Sequence, residues 1–406
     1  EDKFELIDVV IDTVNNNSKD YNQVIVNMGE YPADADRYEY FEYFLKKIKV
    51  PISIMGTYPH INSERALKFN SPIIGDIISI LDTDFNVSDV YIPDEFLNNY
   101  PEVGGKKRAI MKLTKGCPQH CKMCPVPAIY KGGYKYYNIN ESVERVKKLY
   151  NRGVRFITFT DDNISAADKR FVKFMEAIKK ENLKGLNFHS QEGFEVTAFG
   201  NEDFCRLLNE TKWIQVKLGV ENIKEDFLKK IGKYYYNFDT ISIAIKNIKK
   251  YNIKGVRFFY LMGLDETEND VLDNLKYFSK HNVQLRTNIL RKYKNTELYD
   301  MEYSQKMTPK TMNKLKALSY AISWLSAYKI DMFSDGAFDE FVNNNGYIYN
   351  TVGSETTITG RTKFGFQTNR FKWALKFMYE GKYKLYDCDV TLFDDRVVIK
   401  NKQNSG

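Results

Sequence analysis

The sequence predicts an α/β protein: a partial (β/α)6 barrel of the TIM type over residues 101–305, preceded by a small Rossmann-like α/β domain over 1–100 and followed by an α+β extension over 306–406. Three observations predict it. From about Lys106 to Leu290, six short β-rich runs alternate with helical stretches, the order that builds parallel β-α units. A tight cysteine triplet directly follows the first run, where the carboxyl end of a barrel strand places a site. After Thr308 the alternation stops.

In the barrel, the strand runs are Arg108–Leu113, Arg155–Thr160, Leu186–Ser190, Ile214–Leu218, Val256–Met262 and Gln284–Leu290. Helices are predicted over Glu141–Tyr150, with Asn140 as N-cap and Gly153 past the end, and over Ala166–Lys180, Asp203–Asn209, Lys224–Ile231, Asp239–Tyr251 and Glu268–His281. Six units leave such a barrel open on one side, unlike the closed eight-unit form. In the first hundred residues, Val9–Val14, Gln23–Met28 and Ile52–Met55 read as strands, with a helix over Asp36–Lys47. The turn Gly56–His60, a helix over Ser63–Lys68 and a short strand over Pro72–Asp76 follow. No Gly-x-Gly-x-x-Gly turn offers a dinucleotide fingerprint there. In the last hundred, Pro309–Lys329 reads as one amphipathic helix, with Met312, Leu315, Leu318, Ile322 and Leu325 on one face. Asn343–Arg361 reads as loop, Asn369–Glu380 as a helix capped by Thr368 and closed by Gly381, and Lys384–Ile399 as a hairpin.

Composition narrows the function classes. The net charge of +7 admits an acidic partner, yet Lys/Arg and Asp/Glu are interspersed and no basic stripe appears, so nucleic acid is not indicated. No apolar run approaches the ~18 residues of a membrane span. Of five cysteines, three share one motif, and Cys205 and Cys388 read as isolated thiols, a count that fits a reducing, cytoplasmic setting. The chain begins at Glu1 rather than methionine, so a preceding piece is expected.

The motif reads Lys115-Gly-Cys117-Pro-Gln-His-Cys121-Lys-Met-Cys124. Three thiolates on one short loop suit three irons of a cubane cluster and leave the fourth iron open to a ligand. The alternative is a zinc loop completed by His120. Structural zinc sites pair two knuckles far apart in sequence, and His120 stands directly beside Cys121, where both side chains strain to reach one ion.

This spacing, on this scaffold, resembles the radical S-adenosylmethionine (SAM) enzymes over roughly residues 105–300. The resemblance implies a [4Fe–4S] cluster on Cys117, Cys121 and Cys124, with SAM chelating the open iron. It places Met123 near the adenine, and Thr160-Asp161-Asp162-Asn163 near the amino group of SAM. Ser190-Gln191-Glu192 falls where the ribose or carboxylate is met, and Gly219-Val220-Glu221 matches the family's Gly-Val/Ile/Leu-Glu. Acidic side chains beside an ammonium group orient it by charge-assisted hydrogen bonds. The expected activity is reductive cleavage of SAM to a 5′-deoxyadenosyl radical that abstracts hydrogen from an unknown substrate, fed by a one-electron reductant of the flavodoxin or ferredoxin type. No catalytic residue beyond these is assigned.

Two motifs depart from the family. Gly263-Leu-Asp-Glu266-Thr267 lacks a Pro-Gly turn, and Asn295-Thr-Glu-Leu-Tyr299 replaces Pro-Gly-Thr-x-Leu-Tyr. Residues 23–76 resemble the second half of a cobalamin-binding domain without its Asp-x-His-x-x-Gly motif; the first histidine is His60. Cobalamin, bound without histidine, and a cobalamin-dependent radical methyltransferase therefore stand as the alternative to a degenerate structural layer. A methylthiotransferase is discounted because residues 1–116 hold none of the three further cysteines that class uses. A non-enzymatic iron–sulfur or zinc protein leaves the acidic strand ends unexplained.

Overall fold

The computed structural model describes residues 105–402 except 130–133, 165–168, 294–295, 345–346, 353–354, 360–368, 384–387 and 394–395. Of residues 1–104 it describes 12, 15–16, 24–27, 43, 46–49, 52–55 and 73–74. The chain forms two compact units. The first comprises Glu1–Asn99, Leu113–Val146 and Lys292–Met301; the second comprises Tyr100–Lys112, Lys147–Arg291 and Glu302–Gly406.

In chain order, the first unit holds strands β1 (Val24–Asn27), β2 (Ile52–Met55) and β3 (Ile73–Ile74), which form a parallel sheet in that order. Tyr43, Lys46 and Lys47 are helical, within the expected Asp36–Lys47 helix. Asp12, Asn15 and Asn16 are helical too, which corrects the strand expected over Val9–Val14. Apolar residues at 7, 10, 11 and 14 satisfy a helical period as well as a strand run, and length alone cannot separate the two. The turn at 56–60 and the helix at 63–68 lie outside the described residues.

Strand β4 (Arg108–Met111) belongs to the second unit, and the chain then enters the first. There, β5 (Thr114–Lys115), helix α1 (Val126–Ile129) and β6 (Lys135–Tyr136) precede α2 (Ile139–Asn151). Strands β5 and β6 pair as an antiparallel ribbon around the cysteine loop. The cap of α2 is Asn138, whose Oδ1 accepts from Asn140 N at 2.9 Å and Glu141 N at 3.3 Å, rather than the expected Asn140. Gly153 follows in the left-handed region at φ +89.

Alternation then holds throughout. Strands β7 (Phe156–Phe159), β8 (Asn187–Phe194), β9 (Trp213–Glu221), β10 (Val256–Met262) and β11 (Gln284–Ile289) join β4 in one six-stranded sheet, ordered β11-β10-β9-β8-β7-β4. Every neighbouring pair is parallel, as a partial barrel requires. Helices α3 (Lys169–Glu181), α4 (Glu202–Glu210), α5 (Glu225–Lys230), α6 (Phe238–Lys250) and α7 (Glu268–Lys280) connect the strands. One side of the sheet packs on them through aromatic rings. Phe159, Phe188 and Phe194 of the sheet meet Phe171 and Phe174 of α3, Phe204 of α4 and Trp213, with Phe159 stacked on Trp213 at 5.2 Å. Helix ends are capped locally: Asn237 and Thr240 make a capping box on α6, and Thr267 and Asp270 make one on α7. Removing the first with Asn237→Ala should lower stability by about 1 kcal/mol, read as a shifted urea midpoint at unchanged slope.

Helix α8 (Glu297–Asp300) returns to the first unit. Helix α9 (Pro309–Leu325), with Thr308 as N-cap, packs on β11, α7 and the later helix α11. It ends four residues before the expected Lys329, in a 3-10 turn that Lys329 closes at φ +60. After α10 (Ala337–Asn344), β12 (Ile348–Val352) and β13 (Glu355–Thr359) form an antiparallel hairpin where the sequence reading expects a loop. The Thr/Ile/Val content of both segments and the burial of Thr356 and Ile358 outweigh the Asn and Gly count. Helix α11 (Asn369–Tyr383) includes Gly381 rather than stopping before it. Strands β14 (Cys388–Leu392) and β15 (Arg396–Asn401) form the expected terminal hairpin, completing the sheet β12-β13-β15-β14. Thr368 lies outside the described residues. No helix among the described residues is long and apolar enough to cross a membrane.

Candidate active site

The cysteine loop begins on a glycine: Gly116 sits at φ +76, a conformation that side chains with a Cβ resist. A turn brings Cys124 N to Cys121 O at 3.0 Å, and Cys117 Sγ accepts from Gln119 N at 3.4 Å, a bond that favours a thiolate. Cys117, Cys121 and Cys124 are half-buried and none is in a disulfide. Met123 is likewise half-buried. Within this unit Leu298 N donates to Lys122 O at 2.9 Å, and Lys122 lies 3.9 Å from Glu297. Thus Leu298, in the described part of the divergent motif, braces the loop through its backbone and is itself fully buried.

Among the described residues no three His, Cys, Asp or Glu side chains converge on a point where one ion could sit. The donor set, three soft thiolates on a short loop, fits a cluster in chemistry and in spacing. The other two thiols differ in kind: Cys205 and Cys388 are buried, and burial pushes the Cys205 thiol up to about 12, which leaves it inert.

In the second unit, the carboxyl ends of β7, β8, β9 and β10 carry the remaining expected residues. Thr160 N donates to Met111 O at 3.1 Å, extending the β4–β7 ladder to the last strand position. Asp161 follows with its side chain buried, then Asp162, and Asn163 bridges to the backbone of Gly193. Asn163 Nδ2 also donates to Glu195 Oε1 at 2.9 Å. This pair, which the sequence reading missed, ties the end of β7 to the segment after β8. The backbone of Gln191 and Glu192 lies in β8; their side chains lie outside the described residues.

Glu221 ends β9 at φ +58, an uncommon left-handed conformation for a non-glycine residue. Its Oε1 accepts from Lys233 Nζ at 2.9 Å, and Lys233 also donates to Gly219 O at 3.1 Å. Tyr236 Oη donates to Val220 O at 2.7 Å. A Cβ on Gly219 would come within 3.0 Å of Lys233 Nζ and 3.1 Å of Glu221 Oε1, so glycine makes room for the pair. Lys233 and Tyr236 flank Tyr234 and Tyr235 in one short aromatic run.

Next along the sheet, Gly263 turns at φ +107 and its N donates to Glu266 Oε2 at 2.9 Å. Glu266 Oε1 accepts from Asn222 at 2.9 Å, and Asn274 donates to both Asn222 Oδ1 and Tyr260 Oη at 3.0 Å. Burial raises the Glu266 carboxyl to about 7, against the opposing pull of its donors Gly263 and Asn222. The Gly263–Thr267 motif, without its Pro-Gly turn, keeps the buried acid that anchors the β10–α7 corner to the residue after Glu221.

Residues 111–278 match the Radical SAM superfamily. Over these residues the chain is similar to radical SAM enzymes. Enzymes of this superfamily work with a [4Fe–4S] cluster and SAM. It is 26% identical over 162 residues to the bacteriochlorophyllide d C-12(1)-methyltransferase of Chlorobaculum tepidum, covering 38% of this chain and 33% of that protein. It is 25% identical over 220 residues to an uncharacterized methyltransferase of Pyrococcus horikoshii, covering 53% and 47%. The chain thus spans a third to a half of the length of these relatives. Its fold is like that of the radical S-adenosylmethionine methyltransferase TsrM from Kitasatospora setae, solved with cobalamin and a [4Fe–4S] cluster, at TM-score 0.57 and 13% identity over 72% of this chain and 69% of that one.

Proposed function

We propose that this radical SAM enzyme cleaves SAM reductively and uses the resulting radical to abstract hydrogen from its substrate. The observation that carries the reading is the Cys117–Cys124 loop itself, three cysteines within eight residues, following the first strand of a parallel half-barrel. Cys117, Cys121 and Cys124 hold the cluster. When bound, the cluster supplies one electron to the sulfonium of SAM, giving methionine and a 5′-deoxyadenosyl radical able to take hydrogen from an unreactive carbon. Met123 shields the adenine from water, Asp161 and Asp162 orient the ammonium group, and Thr160, Gln191, Glu192 and Glu221 complete the cosubstrate cradle. Lys233 positions Glu221 rather than touching the cosubstrate, since its Nζ is bonded to Glu221 and Gly219 O. The domains are residues 1–100, 101–305 and 306–406, the electron donor is of the flavodoxin or ferredoxin type, and the enzyme is cytoplasmic.

A second reading, cobalamin-dependent methyl transfer, is favoured by one observation: the parallel sheet β1-β2-β3 before the barrel, together with the fold likeness to TsrM. One anaerobic experiment separates the two. The cluster is reconstituted, SAM and dithionite are added, and 5′-deoxyadenosine and S-adenosylhomocysteine are quantified by mass spectrometry with and without cobalamin. Deoxyadenosine without added cobalamin is expected. Adenosylhomocysteine formed only with cobalamin replaces the first reading by the second, and neither product from an intact cluster overturns both.

A further inference from the structure

The two sides of the six-stranded sheet differ sharply in chemistry. One packs aromatic rings on the helices. Side chains alternate along a strand, so the other, inner side receives Arg108, Thr158, His189, Lys217, Arg257, Phe259 and Arg286. A register shift between Phe188↔Trp213 and His189↔Gln215 skips Ile214, which brings Gln215 and Lys217 onto this inner side. Contacts agree with the assignment. Arg108 Nε donates to Thr158 Oγ1 at 3.0 Å, and Thr158 Oγ1 lies 3.4 Å from His189 Nδ1. The Arg286 guanidinium lies 5.5 Å from the centre of the Phe259 ring.

Lys217 stands directly opposite Arg257 in the β9–β10 ladder, and Arg286 is one pair further up the same face, opposite Phe259. Like charges directly opposite each other oppose folding. Arg370, at the start of α11, adds another: its charge and that of Arg286 join desolvation in lowering the Arg257 guanidinium from its ordinary value. Burial first, and then the charges of Lys217, Arg108 and Arg257, hold the His189 imidazole down at about 4, so it is neutral at pH 7. Among the described side chains, the one acid at a strand position on this face is Glu221 at the end of β9, and Lys233 already pairs with it at 2.9 Å. Among the described residues, Arg257, Arg286 and Arg370 form no ion pair, and all three are exposed. An arginine whose role is packing is satisfied by a carboxylate or carbonyl; these crowd together with their guanidinium groups open.

We propose that the inner face of this sheet binds an acidic group of the enzyme's substrate, which is therefore an organic anion carrying a phosphate or at least two carboxylates. Planar guanidinium groups match both acids bidentately. The row of Arg286 and Gly219 is two residues short of Glu221, within about 7 Å along the strand, and the Lys217–Arg257 row lies about 13 Å below it. A substrate anchored on these rows directs its far end toward the strand ends where SAM is held. This inference rests on the reading of those strand ends as the cosubstrate cradle.

Titration calorimetry of the full-length, cluster-reconstituted protein with inorganic phosphate, and separately with glutarate, tests it and distinguishes the two acids. Wild type should bind at least one of them, and Arg257→Ser with Arg286→Ser should weaken that binding about tenfold or more. Arg257→Lys with Arg286→Lys, which keeps charge but loses the fork, should fall between. Without ligand, the serine variant should melt no lower than wild type, because it relieves repulsion; added anion should raise the wild-type melting temperature more than that of the variant. Absence of binding to wild type up to about 20 mM of either anion, or equal binding by the serine variant, overturns the proposal. A protein that forms deoxyadenosine yet binds neither anion overturns this inference alone. A protein that binds an anion yet never cleaves SAM keeps this face as an anion site and overturns the radical reading.

Discussion

Replacing Cys117, Cys121 or Cys124 singly by alanine should reduce deoxyadenosine formation to background and strip the protein of its bound iron. On the proposed assignment each thiolate takes a separate iron corner, so losing any one leaves a corner without its ligand. Two thiolates cannot hold a four-iron cluster against loss to solvent and chelators. The readout is double, iron per chain together with the broad visible absorbance of the cluster, and deoxyadenosine by mass spectrometry. Cys205→Ser serves as the control. Its thiol is buried behind α4, pushed up to about 12 and remote in kind from any ligand role. Iron binding and SAM cleavage that survive in any one of the three alanine variants would sink the assignment.

A second large effect is expected at Glu266, in the pH dependence of stability. Its carboxyl is raised to about 7 in the folded chain from an ordinary 4.5, chiefly by burial. Between those values the native state holds a proton that the unfolded chain has released, so stability falls as pH rises from about 4.5 to about 7 and levels off above. At ~1.36 kcal/mol per unit the span amounts to about 3 kcal/mol. Glu266→Gln cannot ionise and should lose that component, at the expense of one of the two acceptor bonds to Gly263 N and Asn222 Nδ2. The difference in urea-unfolding free energy between wild type and variant should therefore change by about 3 kcal/mol across this window, in favour of the variant at high pH. Parallel curves for the two proteins from pH 4.5 to 8 would refute it.

How far the sequence discloses this molecule depends on where the deciding interaction lies. The six barrel strands were legible because each is a short β-rich run bounded by a helix of clear period, and both signals are local. The cysteine motif is equally local: all three cysteines fall within eight consecutive residues. The β12–β13 hairpin was not, because its strands carry the Asn, Gly and Thr that elsewhere signal loops, and its stability comes from pairing with β15 and burying Thr356. Nor was the Lys233–Glu221 pair, whose partners lie across a helix and a turn. Asn163 and Glu195 are a further case: the adjacent acids Asp161 and Asp162 invite attention, while the amide that ties the end of β7 to the segment after β8 draws none. The arginines of the inner face are invisible one by one, and only the register of β9, β10 and β11 brings them into one field.

The bond from Leu298 N to Lys122 O sets an order in time as well as in space. The three cysteines leave the ribosome early, whereas the backbone that braces their loop is made roughly 175 residues later, a delay of about 10–35 s at ~5–20 residues per second. During that interval the thiols ride on an unclosed loop, open to oxygen and to adventitious metals. On the proposed assignment, cluster assembly is expected to follow synthesis of the segment around Leu298, and slowing translation downstream of Cys124 should lower the fraction of chains that mature with iron.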